Sequence, residues 1–101
     1  MAEGSSKSRT RSRVLRLPAR LGIADVAAVK PVLTDALDGG RPVILDAAAV
    51  EHVDGAGLQL LLAFHAAMQA AGRRLDWKGR SPALLEAAGL SGVRDTLGLA
   101  A

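Results

Sequence analysis

Hydrophobic positions along this chain change their period several times, and each change predicts an element. Residues 13–17, RVLRL, alternate and predict a strand stopped by Pro18. Over 25–37 the apolar residues return at helical spacing, with Asp25 as N-cap and Gly39-Gly40 as the stop. Pro31 falls inside that pattern, where it predicts a kink or the true first turn. PVILD, residues 42–46, is a short apolar run bounded by turn signals, as a buried strand is. A long helix then runs from Asp54 to Ala71 and closes at Gly72. RRLDWK, 73–78, puts Leu75 and Trp77 on one face of a further strand. SPALLEAAGL predicts a short helix with Ser81 as N-cap, Pro82 at the first helical position and Gly89 as the stop. The last segment, SGVRDTLGL, offers Val93, Leu97 and Leu99 to a helical turn or an edge strand. Strand–helix alternation of this kind predicts an α/β layer in which helices cover a small sheet.

The long helix carries more apolar surface than one sheet can absorb. Leu58, Leu61, Leu62, His65 and Met68 fall on one stripe, with His65 as a core-edge residue rather than a ligand. Leu60, Phe64, Ala67 and Ala71 form a second stripe. That surplus is expected either to pack on a neighbouring helix or to stay exposed for a partner.

Charge changes the picture less than the pI of about 10.2 suggests. Residues 1–13 hold Lys7, Arg9, Arg11 and Arg13 against Glu3, which is the whole net charge of +3; the remaining chain is neutral. A disordered basic tail is expected over 1–12, with one folded domain over 13–101. With only Phe64 and Trp77 as aromatics, a base-stacking nucleic-acid surface is disfavoured. The absence of cysteine excludes a disulfide framework and a thiol nucleophile. No signal-peptide pattern appears, and the most apolar window, 56–72, is interrupted by Gln59, His65 and Gln69, short of the ~20 residues a membrane span needs. A cytoplasmic protein without membrane insertion is expected.

Candidate chemistry gathers where the long helix begins, at DGAG, residues 54–57. Glycines at a helix start let backbone N–H groups approach an anion. A phosphate loop needs a Lys and a Ser or Thr at set spacing; neither is present, and Asp54 opposes anions. The favoured reading is a tight strand-to-helix connection capped by Asp54. Asp46, Glu51, His52 and Asp54 match no metal-ligand spacing and read as a solvated loop. Thr34, Ser81, Ser91 and Thr96 sit in no strand-to-helix elbow beside a base. No catalytic residue, cofactor or metal is expected.

VILDAAAVEHVDGAGLQLLL, followed by RRLDWKGRSPALLEAAGL, resembles the STAS domain, the module shared by sulfate transporters and anti-sigma factor antagonists. The first stretch looks like the family's strand, Asp-containing loop and switch helix, the second like its next strand and helix. The resemblance covers most of residues 13–93. It implies a small mixed β-sheet of about four strands with helices packed mainly on one face. In the family's regulatory members the loop reads Asp-Ser-Ser-Gly-Leu, or has Thr for the first Ser, and a partner kinase phosphorylates that hydroxyl. Asp54, Gly57 and Leu58 match; Gly55 occupies the phosphoacceptor position, so no phosphoacceptor is present there, and Ala56 offers no neighbouring hydroxyl.

The resemblance therefore implies a non-enzymatic protein–protein interaction module without the usual phosphorylation switch. Its partner-binding residues are expected to be His52, Asp54, Gly55, Ala56, Gly57, Gln59 and Leu60. A bacterial signalling role comes first: anti-sigma factor antagonist-like, or accessory to a serine kinase or a chemotaxis kinase. The alternative is a small STAS subunit of a lipid-transport ABC complex that clamps the ATPase. Those subunits tend to carry Thr where Gly55 stands, which favours signalling.

Overall fold

Residues 11–99 are described by the computed structural model; the expected tail falls largely outside them. Three strands form one parallel sheet in the order β1 (Arg13–Arg16), β3 (Val43–Ala47), β5 (Leu75–Arg80). Arg13, Val43 and Leu75 share one register position. Between the strands run α1 (Val26–Asp38) and α2 (Gly55–Ala70), and α3 (Pro82–Leu90) follows β5. Each parallel pairing needs a crossover, and the helices supply it. The α/β architecture is the expected one, with every described pairing parallel.

Alternation decides which sheet face is covered. Val43, Leu45 and Ala47 of β3 and Leu15 of β1 turn into the core, while Val14, Arg16 and Lys78 turn outward. Leu61 and Met68 of α2, Leu33 and Ala36 of α1, and Leu84 and Ala88 of α3 close the core. The second stripe of α2 meets α1: Phe64 is buried and Leu60 and Ala67 are half-buried along a shallow groove with Leu33 and Leu37. Of the two fates open to that surplus, helix packing is the one adopted, so it is not an exposed stripe awaiting a partner. Pro31 lies inside α1, beyond its first turn.

Two features depart from the sequence reading. Two-residue strands β2 (Arg20–Leu21) and β4 (His52–Val53) pair in parallel as a separate ladder in the stretch read as loop. Two residues are too few to show any alternation. The second departure is the end of α3. Gly89 lies inside the helix, with Ser91 as C-cap and Gly92 at φ +71°. Val93 N–H reaches the Ala88 carbonyl and Gly92 N–H the Gly89 carbonyl, a Schellman closure. A Cβ at Gly89 would lie 2.9 Å from the Arg94 guanidinium, which donates to the Leu85 carbonyl and would have to move aside. Ser81 caps α3 as expected, accepting the Leu84 N–H at 3.1 Å. Residues 91–99 close with helical-type turns rather than an edge strand, burying Leu97 and Leu99. The Trp77 indole N–H donates to the Leu97 carbonyl at 2.7 Å.

Candidate functional site

Asp54 organises the rim where β4 passes into α2. It is the N-cap of α2, and its Oδ1 accepts the Gly57 N–H at 3.0 Å. Its Oδ2 accepts the Ile23 N–H at 2.9 Å from the turn that follows β2. That turn is closed in the same way by Asp25, whose Oδ2 takes the Gly22 N–H at 3.0 Å. One carboxylate therefore fastens two segments 31 residues apart in sequence. The hydrogen bonds from Ile23, then Gly57 and Ala56, with a smaller contribution from the charge of His52, hold its pKa below the ordinary 3.8.

This depression has a definite sign in stability. A carboxyl whose folded pKa is lowered stabilises the fold fully above its unfolded value, and the contribution fades as pH falls through the folded value. Asp54→Asn is expected to be less stable than the wild type at neutral pH, because a single amide oxygen replaces two acceptors. The two proteins are expected to converge as pH drops below 3.8. Thermal melts of both proteins between neutral pH and pH 2 check this.

The two glycines after Asp54 have opposite surroundings. Gly55 is exposed, and a Cβ there would meet nothing within 4 Å. Gly57 is buried, and a Cβ there would run into the Leu21 carbonyl oxygen. Gly57 thus lets α2 approach β2 closely and stands beneath the rim, not on it. Of the other expected contact residues, His52 and Gln59 are exposed, Ala56 half-buried, and Leu60 turned toward α1. Asp46, Glu51, His52 and Asp54 do not converge: among the described residues no three His, Asp or Glu side chains are placed to hold a metal ion.

Two additions to the rim had no sequence signal. Ile23, 72% exposed, sits beside Asp54, brought there by the β2–β4 pairing and the long-range hydrogen bond. On the other side, Gly55, Leu58, Gln59 and Leu62 share a groove of about 130 Å³ with Ser91 and Val93. The rim is thus an edge fastened by Asp54, with Ile23 at one margin and a recess alongside.

The fold is thus a small parallel α/β layer with an Asp54-organised rim at the start of α2. Comparison with known proteins gives its family: the model of the family described as "Mlab, STAS domain" matches residues 5–99, and the chain belongs to the STAS domain family, a family of protein-interaction modules. Among solved structures it is similar to a sulfate transporter family protein from Wolinella succinogenes, with a TM-score of 0.71 and 23% identity over 86% of this chain and 71% of that one. That likeness shows the STAS fold. Curated proteins give no significant match. No helix among the described residues is long and apolar enough to cross a membrane.

Proposed function

We propose that this chain is a non-enzymatic docking module that seats the rim at the start of α2 against a protein partner, the ATPase of a transport complex. The observation that carries the reading is the state of Asp54. Both its oxygens are engaged by backbone N–H groups, so the carboxylate fixes the shape of the rim instead of acting on a substrate. His52, Asp54, Gly55, Ala56 and Gln59, with Ile23 beside them, form the contact surface in this reading. Gly57 supports it from beneath, and Leu60 lies at its margin.

The similarity to a sulfate transporter family protein favours a transport role over the signalling role that Gly55 alone suggested. Signalling, as an anti-sigma factor antagonist-like or chemotaxis-kinase accessory, is the second reading, and Gly55 is the observation in its favour. In either role the module is constitutively competent at this position. A phosphate would bring about −1.5 to −2 charges to the rim, and no hydroxyl stands at position 55 to carry it. Ser81 is no substitute, because it is 4% exposed and its hydroxyl caps α3.

Affinity capture of the tagged full chain from its own host is expected to recover a transporter ATPase with its permease. A serine kinase or a chemotaxis component in their place supports the second reading. Gly55→Glu then tests the rim. The new side chain enters open space, so the melting temperature is expected to stay within about 4 °C, since surface changes of this kind move stability by under ~0.5 kcal/mol. A charge forced into the closed interface is expected to weaken the complex on the order of 100-fold. Full affinity in a folded Gly55→Glu protein would move the interface elsewhere.

A further inference from the structure

Arginine leads into each of the three parallel strands. Arg11 and Arg13 precede and open β1, Arg41 stands just before β3, and Arg73 and Arg74 directly precede β5. These stretches are far apart in sequence, and the ladder sets them side by side. From the shared register of Arg13, Val43 and Leu75, the hydrogen bonds Arg13 N–H to Pro42 O (2.8 Å) and Val43 N–H to Arg74 O (2.9 Å) extend the alignment one residue further back. The next position back holds Arg11, Arg41 and Arg73, just beyond the paired residues of strands that lie about 5 Å apart.

Arg13 and Arg74 are occupied by ion pairs with Asp35 (3.0 Å) and Asp76 (2.8 Å). Among the described residues, Arg11, Arg41 and Arg73 form no such pair, Asp38 at the end of α1 included. Arg11 and Arg41 are exposed; Arg73 is half-buried, and its Nε is buried without a hydrogen-bond partner among the described residues. The C-termini of α1 and α2 end at this edge, and each presents about half a negative charge. Together with the unpaired Asp38 carboxylate they offset about two of the three cations. About one is left over, and Lys7 and Arg9 precede the row in sequence with the same sign.

We propose that this arginine row docks the chain onto the phosphate headgroups of an anionic phospholipid surface. The row is all arginine, with Lys30 and Lys78 elsewhere, and guanidinium N–H pairs match phosphate oxygens bidentately where an ammonium is only a point charge. Bases would find nothing to stack on here: Phe64 is buried on α2 and Trp77 lies on the core face of β5. α2 starts at Gly55 on the rim and ends at Ala70 beside the row, which separates the two by about 24 Å. Headgroups at one end therefore leave the rim clear at the other.

Vesicle flotation of the full chain at low salt tests this, comparing phosphatidylcholine alone with phosphatidylcholine containing phosphatidylglycerol. Binding is expected only with phosphatidylglycerol, and to be lost near 0.5 M salt. Arg11→Gln/Arg41→Gln/Arg73→Gln is expected to weaken it on the order of 100-fold, at about 1 kcal/mol per arginine near the surface. Arg11→Gln/Arg41→Gln, which spares the half-buried arginine, is expected to lose on the order of 10-fold or more. Lys30→Gln/Lys78→Gln is expected to bind like the wild type. Equal binding to both vesicles, or a folded triple variant that binds undiminished, overturns the proposal. So does preference for single-stranded RNA or an acidic peptide, or inorganic phosphate shifting the arginine NMR signals without vesicle binding.

Discussion

Gly57→Ala is expected to destabilise the fold by about 3 kcal/mol, the upper range for overpacking a closed site. The position is buried, and the added methyl would meet backbone: the Leu21 carbonyl oxygen, with the carbonyl carbon only 2.9 Å away. Backbone cannot yield as the end of a flexible side chain can. The clash also strikes where α2 is fastened, so either the Asp54 cap or the β2–β4 ladder has to shift. Gly55→Ala, two residues earlier, is the control. Its methyl enters open space, and the substitution removes conformational freedom from the unfolded chain, so a gain of up to ~1 kcal/mol is expected. Urea titration of the two variants checks both signs; equal stabilities would mean that α2 does not lie against β2 as described.

Leu61→Ala is the second large effect. Leu61 is 1% exposed at the centre of α2, among the core residues of the sheet and both other helices. Truncation removes its buried methyl groups and leaves a cavity in the core. A loss of about 3 kcal/mol is expected, within the range of 2–5 for such sites. Leu62→Ala, next in sequence but half-buried beside the Gly55 groove, is expected to cost about 1 kcal/mol. Denaturant midpoints of the pair fix the rotation of α2: if Leu62→Ala were the costlier change, the helix would be turned about its axis.

The sequence reading succeeded where a pattern is long or a cap is local. α2, its Asp54 cap and its Gly72 stop are all set within a few residues, and so is the Ser81-Pro82 start of α3. It failed where tertiary contacts choose between equal local options. Gly89 and Gly92 are both acceptable helix stops, and it is Gly92 that takes the left-handed conformation and closes the helix. At the rim, Gly55 and Gly57 look equivalent as a pair of helix-opening glycines, yet one faces solvent and the other faces Leu21. Ile23 reaches the rim through the two-residue β2–β4 ladder and a hydrogen bond across 31 residues, a separation that no periodicity encodes. The family resemblance located the loop; packing decides which of its residues a partner can touch.

The bond between the Trp77 indole and the Leu97 carbonyl makes this small domain its own optical instrument. Trp77 is the sole tryptophan, and the turn it holds belongs to the same closing segment as Ser91 and Val93, which wall the recess beside Gly55. Disturbance of that wall that reaches the latch alters the polarity and hydrogen bonding of one indole. Intrinsic emission thus monitors the flank of the docking surface without any added dye.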